Sequence, residues 1–152
     1  MTLDVRTTVI RQACPGDRSE WLRMRQALWP DVEPDELLRE MDRIGADSQS
    51  AVFVLERMDG GLGGFLEAGI RKYADGCETS PVGYIEGWYV DEDMRGQGAG
   101  RALMSTAEDW ARERGLLEMA SDTWLDNVIS IATHLKLGYE ETERLVHFVK
   151  RL

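Results

Sequence analysis

The chain has 152 residues, 43% of them apolar, so it is long enough to bury a sizeable core as one domain spanning residues 1–152. Its 28 acidic and 18 basic residues give a net charge of -10, which disfavours binding to nucleic acid and favours cationic partners. An acidic surface also serves solubility alone, so charge by itself does not choose between these two explanations.

The first ten residues lack the charged and then apolar layout of a signal peptide, and no run reaches the roughly 18 apolar residues of a membrane span. We therefore expect a cytoplasmic protein with no membrane partner. Cys14 and Cys77 lie far apart and have no metal-ligand spacing, which predicts ordinary thiols and no metal site.

In the first half of the chain, periodicity and turn residues predict two strands that form a hairpin, preceded by one strand and two helices. The Asp59-Gly60-Gly61 run predicts the tight turn of the hairpin. The predicted elements are a strand from Val5 to Ala13, a helix after Pro15-Gly16-Asp17, a helix from Pro34, and strands over Ala51 to Met58 and Leu62 to Ile70.

In the second half, an apolar and aromatic run from Val82 to Val90 predicts a central strand, in which Glu86 is the one carboxylate. A glycine-rich turn follows it, and then an amphipathic helix that stops at Gly115. The remaining predicted elements are a strand from Leu116 to Ala120, a helix from Asn127 to Leu137, and a closing strand from Tyr139 to Val149.

The most informative stretch runs from Val90 to Arg101, between the central strand and the amphipathic helix. Glycines at 96, 98 and 100 let the backbone approach a bound group, and free N–H groups at a helix start favour negative charge. This pattern predicts a pyrophosphate site, with a glycine-rich turn that binds nothing as the alternative. The spacing is not that of a Walker or a dinucleotide-binding motif.

Two signatures in this half match a known superfamily. Arg95-x-x-Gly98-x-Gly100 resembles the Arg/Gln-x-x-Gly-x-Gly/Ala signature of GNAT acetyltransferases, and Asn127 followed by Leu137-Gly138-Tyr139 resembles a later one. The resemblance implies an α+β, GNAT acyl-CoA N-acyltransferase fold, with a mixed, mostly antiparallel central sheet, split where the cofactor enters and flanked by helices. It also implies acetyl-CoA as cosubstrate, held by Val90, Arg95, Gly96, Gln97, Gly98, Ala99, Gly100, Arg101 and Asn127.

The resemblance extends to segments that coenzyme A does not need, and these are similar to segments of aminoglycoside 6'-N-acetyltransferases. The segments are Leu28-Trp29-Pro30, residues 76–81, Ile85-Glu86-Gly87, residues 118–123 and residues 138–144. They imply acetyl transfer to the 6'-amine of an aminoglycoside, which confers resistance, by a homodimer paired through C-terminal strands. An acetyltransferase for a polyamine or a protein amine, and a non-catalytic CoA-binding regulatory domain, remain as alternatives.

Acetyl transfer needs a group that accepts a proton, because an amine attacks a thioester only when it is neutral. Glu86 is costly to bury in an apolar strand unless it meets a cation or a donor, and Asp122 ends the next predicted strand. If the strands are neighbours, both carboxylates face one pocket. Asp122 is the preferred base, and Glu86 shares that task or anchors an ammonium group; a structural carboxylate is the alternative for each.

Other roles follow from the resemblance. It implies that a backbone N–H near Val90 stabilises the oxyanion of the tetrahedral intermediate. It also places His134 where many members carry a tyrosine that acts as a general acid. His134 is therefore a candidate acid, with a helix-surface histidine of no catalytic role as the alternative. Trp29 and Tyr73 are candidates for contacting sugar rings, although Trp29 also suits a core position. No side-chain nucleophile is needed for direct transfer in a ternary complex.

Overall fold

A computed structural model describes residues 9–152, and the part of the predicted first strand before residue 9 lies outside them. Five strands form one sheet in which spatial order follows chain order. The first four pair antiparallel and the fifth is parallel to the fourth, which confirms the expected mixed, mostly antiparallel sheet. The strands are β1 (Ile10–Gln12), β2 (Ala51–Glu56), β3 (Leu62–Arg71), β4 (Val82–Val90) and β5 (Met119–Ser121).

Helices cover both faces of the sheet, as expected for this fold. The helices are α1 (Arg18–Leu28), α2 (Pro34–Ala46), α3 (Ala99–Glu113) and α4 (Val128–Lys136), with short 3-10 turns at Pro15–Asp17 and Glu92–Met94. Neighbouring residues of one strand point to opposite faces. Val54 accordingly packs with α1 and α2, whereas Phe53 and Leu55 pack with α3. Among residues 9–152, no helix is long and apolar enough to cross a bilayer.

A buried ion pair fixes α1 and α2 to the sheet. Arg25 of α1 donates from Nε to Glu67 of β3 at 2.7 Å, and from Nη1 to the carbonyl of Leu37 in α2 at 2.9 Å. The indole of Trp21 also donates to Glu67 at 2.9 Å. Removal of one partner of such a pair leaves an uncompensated buried charge, so the pair specifies how the helices sit on the sheet.

The predicted closing strand from Tyr139 to Val149 is wrong for the single chain, because the segment pairs with no strand among the described residues. A strand exists only where another edge accepts its N–H and C=O groups, and sequence periodicity does not report that edge. The predicted strand from Leu116 is also shifted, since β5 begins at Met119. The bounds predicted for β4 agree with the structure.

The sheet splits between β4 and β5, and this split shapes the functional region. The two strands pair only at Gly83, Tyr84 and Ile85 of β4, so the rest of β4 has no partner on that edge among residues 9–152. A bulge follows at once, since Glu67 of β3 pairs with Gly87 while Ala68 pairs with Ile85, and Glu86 is left as the extra residue. The space between the separated parts of β4 and β5, which we call the cleft, therefore begins at the same point of β4 as the bulge.

Candidate active site

The loop that follows β4 has the geometry of an anion site. It places Gly96 at φ 74° and Gly98 at φ 87°, left-handed conformations that favour glycine, and α3 begins at Ala99. Among the hydrogen bonds of residues 9–152, none is donated by the backbone N–H groups of residues 98–101. Free N–H groups at the positive end of a 15-residue helix suit a phosphate group.

The side chains around this loop also fit an anionic cofactor. Arg95 donates from Nε to the carbonyl of Val90 at 2.8 Å, and Arg101 is exposed on the first turn of α3. Gln97 donates to the carbonyl of Asp93 at 3.3 Å, while its Oε1 is buried and has no partner within the described part of the chain. A buried acceptor without a donor is suited to an N–H group of a ligand.

Three further residues predicted to bind the cofactor, Gly100, Ala99 and Asn127, have clear structural surroundings. A β-carbon at Gly100 would lie 3.0 Å from the Trp88 ring, so glycine allows α3 to approach β4 closely. Ala99, beside it, is buried in the core below α3. Asn127 caps α4, because its Oδ1 accepts the N–H of Ser130 at 3.1 Å.

The backbone of Val90 points to the open edge of β4. The N–H of Asp91 donates to Gly63 on β3 at 2.8 Å. Successive N–H groups of a strand point to opposite edges, so the N–H of Val90 points away from β3 and towards the cleft. The carbonyl of Val90 lies on the same side, where it accepts the bond from Arg95.

A chain of polar contacts connects Glu86 with Asp122 at the other end of the cleft. The guanidinium of Arg71 binds both oxygens of Glu86, at 2.8 and 2.7 Å, and lies 3.4 Å from the centroid of the Tyr84 ring. The hydroxyl of Tyr84 donates to Oδ2 of Asp122. Burial and this contact raise the pKa of Tyr84 well above its usual value, so the phenol stays protonated and remains a donor.

Glu86 lies in an apolar strand and meets a cation, Arg71, the condition that the sequence set for burying it, but it is not buried. Its side chain is 39% exposed, because the bulge makes Glu86 the extra residue of β4 and Arg71 compensates its charge. The interpretation that β4 and β5 are neighbours is correct, and Asp122 directly follows β5. Asp122 lines the cavity between β5, α4 and the C-terminal segment and Glu86 does not, and within the described residues the two carboxylates are connected through Arg71 and Tyr84.

Asp122 and His134 do line a common cavity of about 380 Å³ between β5, α4 and the C-terminal segment. Its lining contains six carboxylates and one arginine, Arg144, which is paired with Glu141. The carboxylates belong to Asp75, Glu118, Asp122, Glu140, Glu141 and Glu143. Glu118 accepts the backbone N–H groups of Glu78 and Thr79, which fixes the loop after β3 against β5. The excess of carboxylates favours a cationic ligand.

His134 is half-buried between α4 and the sheet. Its Nδ1 lies 2.7 Å from the carbonyl of Ser130, and its Nε2 lies 2.9 Å from the hydroxyl of Ser121. Because a carbonyl only accepts, a neutral His134 carries its proton on Nδ1, and Nε2 accepts from Ser121. Edge-on contacts with Trp88 and Tyr139 hold the ring in this position.

Trp29 and Tyr73, the two aromatic residues predicted to contact the acceptor substrate, differ in burial. Trp29 follows α1 and packs edge-on against Phe65, and the guanidinium carbon of Arg25 lies 4.7 Å from the centroid of its ring. A β-carbon at Gly87 would lie 2.7 Å from the Trp29 ring, so this ring lies against the bulge beside Glu86. Tyr73 is 67% exposed on the loop after β3, and its hydroxyl donates to Asp75 at 3.1 Å.

Sequence reasoning missed Arg71, Tyr84 and Ser121. Tyr84 lies two positions before Glu86, so strand alternation alone would place both on one face. Arg71 and Ser121 join the site only through the register of β3 with β4 and through the packing of α4.

Comparison with known proteins agrees with this geometry. A family model described as the acetyltransferase (GNAT) family matches residues 18–139, which include the glycine loop, Glu86, Asp122 and His134. The chain belongs to the acetyltransferase (GNAT) family. This confirms the superfamily that the two sequence signatures indicated.

Individual members of the family give a more specific comparison than the family model. The chain is 44% identical over 140 residues to the aminoglycoside N(6')-acetyltransferase type 1 of Stenotrophomonas maltophilia, covering 91% of this chain and 90% of that protein. The solved structure of AAC(6')-Iy in complex with the bisubstrate analog CoA-S-monomethyl-acetylneamine superposes with a TM-score of 0.89 at 36% identity, covering 95% of this chain and 99% of that one. AAC(6')-Ih from Acinetobacter baumannii superposes with a TM-score of 0.88 at 37% identity over 95% and 99%.

For this acetyltransferase, Gly98→Val is expected to weaken coenzyme A binding severely, because the side chain would occupy the space in front of the α3 N–H groups. The left-handed φ of residue 98 adds a backbone cost of about 1–2 kcal/mol. Isothermal titration calorimetry with coenzyme A measures the affinity.

Gly115→Val is the matched control, since Gly115 has φ 73° at the other end of α3 and has open space around it. It should lose similar stability and keep its affinity for coenzyme A. Equal affinities of the Gly98 variant and the wild type would contradict the assignment of this loop.

Proposed function

We propose that this chain transfers an acetyl group from acetyl-CoA to the 6'-amine of aminoglycoside antibiotics in the cytoplasm, as a single domain, and thereby confers resistance. The observation that carries the proposal is the similarity to aminoglycoside N(6')-acetyltransferases over about nine-tenths of both chains. The transfer forms an N–C bond, breaks the C–S bond of the thioester and moves one proton from the amine to the thiolate.

The nine residues predicted for the cofactor supply its site. The N–H groups at the start of α3 and the cations of Arg95 and Arg101 bind the pyrophosphate, and Gln97 Oε1 accepts from the ligand. Asn127, at the start of α4, also belongs to this cofactor site. Acetyl-CoA then lies in the split between β4 and β5, with its thioester near the end of β4.

The N–H of Val90 stabilises the tetrahedral oxyanion. It points into the cleft from the unpaired edge of β4, and its direction is fixed because the next N–H, of Asp91, is bound to Gly63. A preorganised backbone donor of this kind needs no reorganisation when the negative charge develops.

Asp122 accepts the proton of the attacking amine, directly or through a water. Tyr84 binds Oδ2, and within the described residues Oδ1 of Asp122 accepts no hydrogen bond. Glu86 is less suited to this step, because both of its oxygens are bound to Arg71. We assign Glu86 to anchoring an ammonium group of the substrate, since its side chain is 39% exposed, and Trp29 and Tyr73 to contacting the substrate rings.

His134 contributes less than Asp122. In its neutral form Nε2 accepts from Ser121, so His134 is an acid only as the imidazolium. A thiolate with a conjugate-acid pKa of about 8.5, as for cysteine, leaves with little assistance.

The first test of these roles compares two variants. Asp122→Asn should lower kcat by about 10²-fold or more, because general base catalysis typically contributes 10² to 10⁴. His134→Ala should lower kcat less. Release of free thiol, measured at saturating acetyl-CoA and aminoglycoside, gives both values.

Asp126→Asn is the control, since Asp126 is an exposed aspartate of the same loop and does not line the cavity. Its kcat should match the wild type. A larger loss for the His134 variant than for the Asp122 variant would reverse the two assignments.

Regiochemistry tests the substrate. Kanamycin A carries a 6'-amine and should be acetylated on that nitrogen, whereas a related aminoglycoside with a 6'-hydroxyl should be acetylated poorly. Product NMR locates the acetyl group. Equal turnover of the 6'-hydroxyl compound, acetylation of another nitrogen, or faster turnover of a polyamine or a peptide amine would refute the proposed substrate.

We also propose a homodimer that forms through the C-terminal segment. Residues after 144 have no regular secondary structure and no partner strand among the described residues, and their apolar side chains are exposed, with Phe148 at 91%. The sequence of this segment is strand-prone, and a strand of another copy would pair its N–H groups and cover its apolar side chains.

Phe148→Asp is therefore expected to shift the sedimentation coefficient from that of a dimer to that of a monomer, because it places a charge in the interface. Met58→Asp is the control, since Met58 is 76% exposed in the β2–β3 hairpin, away from this segment. Identical sedimentation of both variants and the wild type would rule out this interface.

A further inference from the structure

Three acidic residues, Asp91, Glu92 and Asp93, directly precede the loop that has the geometry of an anion site. Asp93 lies three positions before Gly96, so their α-carbons are at most about 11 Å apart. That separation is close to the screening length of roughly 8–10 Å at physiological salt. Unpaired carboxylates here would repel a bound pyrophosphate.

Two arginines from distant parts of the chain bind two of these carboxylates, those of Asp91 and Asp93. Arg57, after β2, contacts Asp91 at 2.9 Å and both oxygens of Asp93 at 2.7 and 2.8 Å. Arg23 of α1 contacts both oxygens of Asp91 at 3.0 Å. Both guanidinium groups also donate to the carbonyl of Leu62, at 3.2 and 3.1 Å. We call Arg23, Arg57, Asp91 and Asp93 the arginine clamp.

The charges of the clamp persist at neutral pH. Burial by itself would raise the pKa of Asp91, but hydrogen bonds from Arg23 and Arg57 outweigh it and the pKa is lowered. The hydrogen bond from Arg57 lowers the pKa of Asp93 as well. Each carboxylate is therefore ionised, and each is paired with a cation.

The clamp is also connected to the loop mechanically. Gln97 binds the backbone carbonyl of Asp93 at 3.3 Å, and the N–H of Asp91 binds Gly63 at the start of β3. The β2–β3 hairpin, α1 and the end of β4 are thus fixed together immediately before Arg95.

We propose that Arg57 is a positioning residue for the cofactor pyrophosphate: it holds the start of the glycine loop through Asp91 and the carbonyl of Leu62, and it cancels the negative charge of Asp93 that would otherwise repel the ligand. The inference rests on the proposed use of this loop for acetyl-CoA. Arg23 has the same function for Asp91. Neither arginine needs to touch the ligand.

The test is the affinity for coenzyme A, measured by calorimetry on the full chain. Arg57→Met should raise the Kd about 10-fold, because it removes a full charge near the ligand and exposes that of Asp93. The KM for the aminoglycoside and the kcat at saturating acetyl-CoA should change little. Adding Asp93→Asn to Arg57→Met should restore most of the affinity.

Asp93→Asn alone separates charge from structure. Asp93 is 66% exposed, so this variant should fold, and loss of its negative charge should leave the affinity equal or higher. A purely structural clamp predicts weaker binding instead. Arg18→Met, which breaks the surface pair with Asp42 at 2.8 Å, is the matched control and should bind as the wild type does.

Three results would overturn the inference: an unchanged Kd in Arg57→Met, no recovery in the double variant, or weaker binding in Asp93→Asn. If Arg57→Met does not fold, the Asp93→Asn affinity alone decides the question. Wild-type protein that binds no coenzyme A would instead contradict the proposed function.

Discussion

The pairing of β4 with β5 ends after three residue pairs. The proposed surfaces for acetyl-CoA and for the aminoglycoside both depend on that early end. Beyond Ile85 the open edge of β4 exposes backbone groups, including the N–H of Val90. The bulge at Glu86 begins at the same point and places that carboxylate at the surface beside Arg71. A longer parallel pairing of β4 with β5 would engage these backbone groups in hydrogen bonds and close the space between the strands.

The proposed cleft has one end suited to anions and one end suited to cations. At the first end, the start of α3 carries free N–H groups, and the arginine clamp compensates Asp91 and Asp93 just before it. At the other end, carboxylates outnumber cations around Asp122. The proposed reaction needs this separation, because one substrate is a polyanion and the other a polycation. The net charge of -10 therefore understates how unevenly charge is distributed.

Much of the fold follows from local sequence, and the exceptions have a common cause. The bounds of β4, the hairpin turn and the glycine loop before α3 were predictable because they depend on residues close together in the chain. The closing strand was wrong and the exposure of Glu86 was not foreseen, because each depends on a neighbouring strand. Periodicity reports that a segment is strand-prone and does not report whether an edge is available to it.

The sequence by itself determined the family and the position of the glycine loop, because glycine conformation and helix-start N–H groups are local properties of the backbone. It also identified Asp122 and Glu86 as candidates. Only the tertiary structure decided which partners these groups have. Arg71 reaches Glu86 through the register of β3 with β4, Tyr84 reaches Asp122 through the β4–β5 pairing, and Arg57 reaches Asp91 across 34 positions of the chain. Those contacts depend on strand register and helix packing, which arise from the whole chain at once.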